Sequence, residues 1–294
     1  MAITIAIKKK QPVTPKTKYI LPTKPVEPVH DLGAYSWLIY GPKKIGKSTL
    51  ASLFEKAIFF MFEPGAKALR IHRVDCNTWG DGEGYLTTLE DSPDHGGFKT
   101  VVIDTGFEFY QKALRHVCAI ENIEYPRNDN FGKDWDKIKV LCRNFHDKIF
   151  AMNMGFVVLC HESLREQQTF TGAKYDQVVP LLPKGLDEYY RAVIDNIAWY
   201  HYRGKDRFLQ IRGTDAAMAG LALQADEFFK TPKGEPIHAI PIPADPKGGM
   251  KRIQMAFENK QLQTFKEETE KFVEQVVRQS ITKKVLKGKR KNNK

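Results

Sequence analysis

The chain has 294 residues, of which 42% are hydrophobic and 11% aromatic, so it can bury a sizeable core. No apolar run approaches the roughly 18 residues of a membrane-spanning helix. The short apolar stretch at the N-terminus precedes its lysines, which is the wrong order for a secretory signal. Four widely spaced cysteines are typical of buried thiols in a reducing compartment. We therefore expect a cytoplasmic protein that does not engage a membrane.

The formal net charge is +11, and its location matters more than its size. Residues 1–30 carry six lysines against Glu27, and residues 283–294 carry six lysines and Arg290. The residues between these two tails are close to neutral as a group. Basic tails of this kind favour a polyanionic partner such as nucleic acid. The alternative is that they are solvated segments that only aid solubility.

The first 31 residues are rich in proline, lysine and threonine, which predicts a disordered basic leader. Strand-like and helical patterns then alternate through residues 32–222. This order is typical of an α/β fold with a mostly parallel central sheet flanked by helices. Strands are predicted at 34–40, 57–62, 98–104 and 155–160, and helices at 47–56, 108–120 and 135–152.

The later part of the chain is less regular. Two strands, 193–202 and 207–212, are separated by a short turn and predict a hairpin. Residues 223–256 are rich in proline and glycine, which predicts an irregular surface excursion. Apolar residues at helical spacing from 256 to 281 predict an amphipathic helix. We assign residues 257–294 to this C-terminal helix and its basic tail.

One segment carries a strong nucleotide-binding pattern, G-x-x-x-x-G-K-S/T, between an apolar strand and a helix. It consists of Gly41, Pro42, Lys43, Lys44, Ile45, Gly46, Lys47, Ser48 and Thr49. Glycines in this pattern let backbone N–H groups point at phosphates, and the lysine reaches the β- and γ-phosphates. The Ser48 hydroxyl is a predicted Mg²⁺ ligand. The segment predicts a P-loop that binds ATP with Mg²⁺.

A carboxylate ends the strand at 98–104. Because the carboxyl ends of parallel strands meet at one edge of a sheet, Asp104 should lie beside the P-loop. We predict that it holds Mg²⁺ through a water molecule. The alternative is a strand-end aspartate that caps a turn.

The base that activates water must come from a different strand. Thr105 follows Asp104, whereas AAA+ and ABC ATPases place a glutamate there. Glu63 ends the strand at 57–62, which follows the P-loop helix, and is our candidate, the alternative being an ordinary turn carboxylate. His161 ends the strand at 155–160, where it could sense the γ-phosphate or be a satisfied strand-end histidine. The chain lacks the Asn-Lys-x-Asp pattern by which GTPases read guanine.

These residues together resemble the RecA-like ATPases, in particular the phage single-strand annealing and recombination ATPases with a minimal RecA core. The resemblance spans about residues 34–215. It depends on the P-loop, Glu63, the strand that ends at Asp104, the segment 130–135 and the strand that carries His161.

The resemblance implies a RecA-like core that assembles as a ring or filament on single-stranded DNA, with a single-strand-binding protein as a further partner. In that family the loop after the His161 strand contacts DNA. Here it covers residues 163–184, and its candidates are Arg165, Phe170, Lys174, Tyr175 and Lys184; the alternative is a mobile surface loop. The family also places a basic residue on the γ-phosphate bound by the neighbouring subunit, and Arg212 is the best match here. The alternative is that Arg212 is an ordinary hairpin cation that faces solvent.

We therefore expect a DNA-dependent ATPase of phage recombination, annealing or repair, which would act in the cytoplasm of the host cell. Three alternatives stay open. A helicase-like or loader motor would unwind or translocate. A small-molecule or nucleotide kinase would transfer phosphate without responding to DNA. A nucleotide-gated binding protein would bind ATP and DNA with negligible turnover.

Overall fold

The computed structural model describes residues 21–169, 171–221 and 227–262. The chain divides into two units, Met1–His30 and Asp31–Lys294. In the first unit, residues 21–30 contain no helix or strand. The rest of the predicted leader lies outside the described residues, as do 263–281 of the predicted C-terminal helix and the basic tail.

Ten strands lie in the described part of the second unit. They are β1 (Trp37–Gly41), β2 (Ala57–Met61), β3 (His72–Asp75), β4 (Thr100–Asp104), β5 (Gly155–Gln168), β6 (Lys174–Pro180), β7 (Asn196–Arg203), β8 (Asp206–Gln210), β9 (Gly220–Leu221) and β10 (Ala239–Ile242). The helices are α1 (Lys47–Ala51), α2 (Trp79–Asp91), α3 (Gly106–Glu121), α4 (Lys133–Ala151), α5 (Lys184–Val193) and α6 (Pro246–Phe257). Short 3₁₀ turns occur at Leu32–Ala34 and Pro93–Gly97.

The main sheet has the strand order β10-β8-β7-β1-β5-β4-β2-β3. The six strands from β7 to β3 run parallel. β8 pairs antiparallel with β7, and β10 pairs antiparallel with β8. β5 therefore lies between the P-loop strand β1 and the Asp104 strand β4. The predicted fold class, a mostly parallel sheet flanked by helices, is confirmed.

Both faces of the sheet are buried, which explains the nearly continuous apolar strands. Leu38 and Tyr40 of β1 face the core formed with α2, α3, α4 and α5. Trp37 and Ile39 face the opposite core, to which α1 and α6 contribute. Among the described residues, no helix is long and apolar enough to cross a membrane.

Two predicted irregular segments have regular structure instead. The loop expected at 163–184 contains the second half of β5, which pairs with β6 from Glu162 opposite Pro180 to Gln168 opposite Lys174. We call this antiparallel pair the arm. The sequence predicts a loop here because the strands are polar, and their pairing is a tertiary effect that local sequence does not reveal.

The excursion expected at 223–256 is also corrected. β10 extends the sheet beyond β8, and α6 packs on α1. Two of the prolines that suggested irregularity occupy positions that suit them: Pro241 lies on the edge strand, and Pro246 is in the first turn of α6. The predicted hairpin is confirmed, since Arg203 of β7 pairs with Asp206 of β8.

Candidate nucleotide site

The P-loop connects β1 to α1, and two of its glycines are required by the backbone. A Cβ on Gly41 would lie 2.0 Å from the carbonyl oxygen of Tyr200 on the neighbouring strand, so a side chain cannot be accommodated. Gly46 has φ 105°, in the left-handed region that favours glycine. α1 ends at Ala51, earlier than the predicted helix at 47–56, and is followed by turns.

Lys47 is buried, with 7% of its surface exposed. Its Nζ donates hydrogen bonds to the carbonyl oxygens of Gly41 (2.9 Å) and Pro42 (2.8 Å), and it lies 3.4 Å from Nδ1 of His161. Burial lowers the pKa of Lys47, and attraction to Asp104 opposes that shift. The ammonium group is therefore held inside the loop, close to the acidic end of the site.

Ser48 and Asp104 form a direct pair at the edge of the sheet. The Ser48 hydroxyl donates a hydrogen bond of 2.7 Å to Oδ2 of Asp104, which is 7% exposed. Burial raises the pKa of Asp104; the hydrogen bond from Ser48 opposes that rise and the negative charge of Glu63 adds to it. Hydroxyl and carboxylate oxygens are the ligands that Mg²⁺ prefers, so this pair fits the predicted cation.

The predicted Mg²⁺ site offers few protein ligands. Within the described ranges, no group of three or more His, Cys, Asp and Glu side chains is arranged to hold a metal ion. Mg²⁺ at phosphate sites commonly takes only one or two protein oxygens, and water and phosphate oxygens complete its shell. Ser48 and Asp104 would hold it, and its charge would offset the negative charge of the phosphates.

Glu63, Thr105 and His161 form a second group beside this pair. The Thr105 hydroxyl donates to Oε2 of Glu63 (3.1 Å), and Nε2 of His161 lies 3.4 Å from the same oxygen. In addition, the backbone N–H of Glu63 donates to the carbonyl oxygen of Asp104 (3.1 Å). The ends of β2 and β4 therefore converge on the middle of β5, because β5 continues past His161 instead of ending there as predicted.

The imidazole of His161 lies between a cation and a carboxylate. Burial is the main cause that lowers the pKa of His161, and the positive charge of Lys47 lowers it further. A neutral ring with its proton on Nε2 satisfies both neighbours, because Nδ1 can accept from Lys47 while Nε2 faces Glu63. His161 can therefore link the phosphate-binding lysine to the candidate base.

A cavity of about 500 Å³ opens over these groups. Its wall includes the P-loop, Glu63, Leu69, Asp104, Thr105 and His161. The volume lies within the range of about 300–1,000 Å³ typical of small-ligand sites. Of the remaining P-loop residues, Ile45 is buried, Pro42 and Thr49 are half-buried, and Lys43 and Lys44 are exposed at the loop tip.

The structure places the predicted DNA contacts on or near the arm, several of them already paired. Oδ2 of Asp187 accepts from Arg165 at 2.5 Å, and Lys174 lies 2.8 Å from Glu166. Lys184 lies at the start of α5, 3.9 Å from Glu188. Tyr175 is half-buried on β6. Phe170 lies outside the described residues.

Arg212 lies apart from this chain's nucleotide site. Arg207 of β8 stands opposite Tyr202, at the P-loop edge of the sheet. Arg212 is five positions farther along the chain, which is extended and runs away from that edge. At 3.3 Å per residue, the backbone of Arg212 lies roughly 16 Å from that of Arg207. Its Nε donates to the carbonyl oxygen of Ile237 at 3.2 Å. A role for Arg212 across a subunit interface stays a prediction.

Sequence reasoning did not single out Thr105. The residue is 3% exposed, and its hydroxyl donates to the candidate base, Glu63. The signal was available, because Thr105 directly follows the strand-end carboxylate and must therefore lie at the same edge of the sheet. The peptide bond between Asp104 and Thr105 is cis.

A comparison with protein families matches residues 34–221 to the AAA domain. The matched segment runs from just before β1 to the end of β9. This chain belongs to the AAA domain family. A search of curated proteins gave no match.

Membership of the AAA domain family agrees with the predicted P-loop nucleotide triphosphatase. This AAA protein is a nucleotide-binding ATPase of the P-loop class. It carries Thr105 where the acidic base of AAA+ ATPases is expected, and Glu63, two residues after β2, supplies a second carboxylate on the cavity wall beside Asp104. The finer resemblance to phage recombination ATPases stays a prediction.

Proposed function

We propose that this AAA-family ATPase acts on single-stranded DNA in phage recombination, annealing or repair, and that DNA binding stimulates its hydrolysis of ATP. In the hydrolytic step, the oxygen of a water molecule bonds to the γ-phosphorus while the bond to the β,γ-bridging oxygen breaks. Glu63 faces the cavity with its side chain 37% exposed, which suits it to orient this water and accept its proton. Lys47 places positive charge beside the phosphates.

One observation carries the link to DNA: β5 is continuous from the nucleotide site into the arm. His161, level with Gly41 in the sheet, and Gln168, near the arm's tip, belong to the same strand. The seven steps along the strand from His161 to Gln168 extend roughly 23 Å at 3.3 Å per residue. A ligand bound along the arm therefore contacts the strand that holds the γ-phosphate end of the site.

Side chains at the base of the arm strengthen this connection. The hydroxyl of Tyr40, the residue before the P-loop, donates to the carbonyl oxygen of Val178 on β6 at 3.0 Å. Nε1 of Trp199 on β7 donates to Glu162 at 2.8 Å. The arm is thus fixed to the P-loop strand and to the strand beyond it, and β5 itself supplies the third connection.

The two faces of the arm differ in charge. Side chains alternate along a strand, so Arg165, Gln167, Tyr175 and Gln177 share one face. The carboxylates of Glu166 and Asp176 lie on the other face, together with Lys174, which forms an ion pair with Glu166. A face with a guanidinium, two amides and an aromatic ring suits phosphate contact and base stacking. Phosphate would compete with Asp187 for Arg165.

We also propose that several copies assemble on the strand as a ring or filament, with a single-strand-binding protein as a further partner. Arg212 lies far from its own chain's P-loop, so any nucleotide that it contacts would belong to a neighbour. Light scattering with and without an oligonucleotide measures this assembly. A protein that stays monomeric with both ATP and DNA would contradict it.

The central experiment measures ATP hydrolysis with and without an unstructured single-stranded oligonucleotide. We expect stimulation that is lost in Lys47→Ala, which controls for contaminating ATPases. Tyr175→Ala should reduce the ratio of stimulated to basal rate, whereas Tyr85→Ala, an exposed tyrosine on α2, should leave it unchanged. Equal rates with and without DNA would overturn the proposal and leave an ATPase with a different target.

A further inference from the structure

The hairpin of β7 and β8 brings a cation to the P-loop from the side opposite the catalytic carboxylates. Nη1 of Arg207 lies 3.9 Å from the position that a Cβ on Gly46 would occupy. β7 pairs with β1 on one side, while β5, with His161, pairs with it on the other. The P-loop therefore has Arg207 on one flank and the Glu63, Asp104 and His161 group on the other.

Two tyrosines lie beside the guanidinium. Its central carbon is 6.0 Å from the centre of the Tyr202 ring, and the Tyr200 and Tyr202 side chains are the neighbours that act on its charge. Tyr200 is buried and Tyr202 is 47% exposed. Within the described ranges, no carboxylate forms a salt bridge with Arg207. This cation stands among neutral groups beside a loop whose N–H groups bind anions.

The order of groups along the site indicates which phosphate Arg207 contacts. Lys47, Ser48 and Asp104 mark the β- and γ-phosphates, and Glu63 and His161 lie beyond them at the γ end. With the γ-phosphate at that end, the α-phosphate lies towards the opposite flank of the P-loop, where Arg207 stands. A phosphate oxygen bound to a P-loop N–H lies about 3 Å from that nitrogen, within reach of a guanidinium placed beside Gly46.

We propose that Arg207 is a nucleotide-binding residue that contacts the α-phosphate of the nucleotide bound by its own chain. The assignment rests on nucleotide binding by the P-loop and is independent of DNA coupling. This contact makes the β7–β8 hairpin part of the nucleotide site. Arg207 would act within one subunit, whereas Arg212 is predicted to act across a subunit interface.

The test measures the Kd of ATP, ADP, AMP and adenosine by competition with a fluorescent nucleotide, without DNA. Arg207→Gln should weaken ATP, ADP and AMP by a similar factor, about tenfold, and leave adenosine unchanged. Arg207→Lys keeps the charge but not the planar fork, so its loss should be smaller. Arg203→Gln is the matched control, since this arginine of the same hairpin lies over Phe208 and should leave all four affinities unchanged.

Several outcomes would overturn the assignment. A loss confined to ATP would place Arg207 at the γ-phosphate, and a loss that includes adenosine would place it at the base or ribose. Equal losses in Arg203→Gln and Arg207→Gln would indicate a general effect of hairpin charge. Recovery of tight binding when Arg207→Gln is mixed with Lys47→Ala, whose chain still supplies Arg207, would show a contact between subunits. If DNA does not stimulate hydrolysis by the unmodified protein but the nucleotide affinities change as expected, the proposed function fails and this assignment stands.

Discussion

Thr105 Oγ1 donates a hydrogen bond of 3.1 Å to Oε2 of Glu63, and so joins the end of β4 to the segment that follows β2. Thr105→Val removes this donor while keeping the shape of the side chain, so Glu63 should lose its fixed orientation. We expect kcat to fall about tenfold, the order of effect of losing one orienting contact, with little change in the Kd of ATP. Steady-state kinetics check this, and Thr105→Ser, which keeps the hydroxyl, should retain most activity.

Glu63→Gln tests the base itself. The amide keeps the size of the side chain and cannot accept a proton, so hydrolysis should fall by about 10²–10⁴. ATP affinity should remain, because Lys47 and Ser48 are intact. Single-turnover hydrolysis and equilibrium binding on the same protein separate the two effects. Undiminished hydrolysis would remove Glu63 from the mechanism.

Asp104→Asn should separate stability from activity. The folded-state pKa of Asp104 lies above its ordinary value because the carboxylate is buried, so its ionisation destabilises the fold at every pH above that folded pKa. The neutral amide should therefore raise Tm at pH 7.5, and this gain should disappear as pH falls towards the ordinary pKa of an aspartate. Mg²⁺-dependent hydrolysis should drop at least about tenfold. A lower Tm at neutral pH would contradict this account.

His146 predicts an acid-sensitive fold. It is fully buried among aromatic rings, with Nε2 3.1 Å from the Tyr190 hydroxyl, and burial lowers its pKa to about 3. Its contribution to stability is present above the unfolded pKa of about 6.5 and is lost as pH falls below it, by about 2 kcal/mol at pH 5. His146→Gln should remove that part of the pH dependence between 7.5 and 5. Urea titrations at both pH values would show an unchanged difference if the idea is wrong.

Deleting the basic C-terminal tail tests whether its charges contribute to the binding of single-stranded DNA. Residues 283–294 lie outside the described residues and carry six lysines and Arg290. Deleting them should weaken DNA binding and reduce the slope of log K against log salt by up to about 5. An unchanged slope would show that the tail is only solvated and that DNA contacts lie elsewhere.

Much of the nucleotide site could be predicted from local sequence. The spacing of Gly41, Gly46, Lys47 and Ser48 fixes the loop, and a carboxylate at the end of an apolar strand must lie at the same sheet edge. These two facts place Asp104 beside Ser48, and the structure joins the two side chains directly at 2.7 Å, a bond that the sequence argument did not specify. The approach of Arg207 to Gly46 depends on the pairing of β7 with β1, a long-range contact that neither segment's composition reveals.

The regular elements that sequence missed have different physical causes. α2 contains Gly80, Gly82 and Gly84, which disfavour a helix, but its start is stabilised by a capping box between Thr78 and Asp81, a local signal that the glycines outweighed. The arm has no continuous apolar pattern, so pairing between its strands defines it. For the arm, the tertiary structure decided the outcome.

The family match ends at residue 221, whereas the packed core continues to Phe257. Ile240 and Ile242 of β10 and Ile253 of α6 belong to the same core as Trp37, Leu50 and Phe54. A fragment that stopped at 221 would keep every catalytic candidate named above, yet it would leave β8 as a bare edge and expose the apolar side of α1 to water. Such a fragment should aggregate, because the unit that folds is longer than the segment that identifies the family.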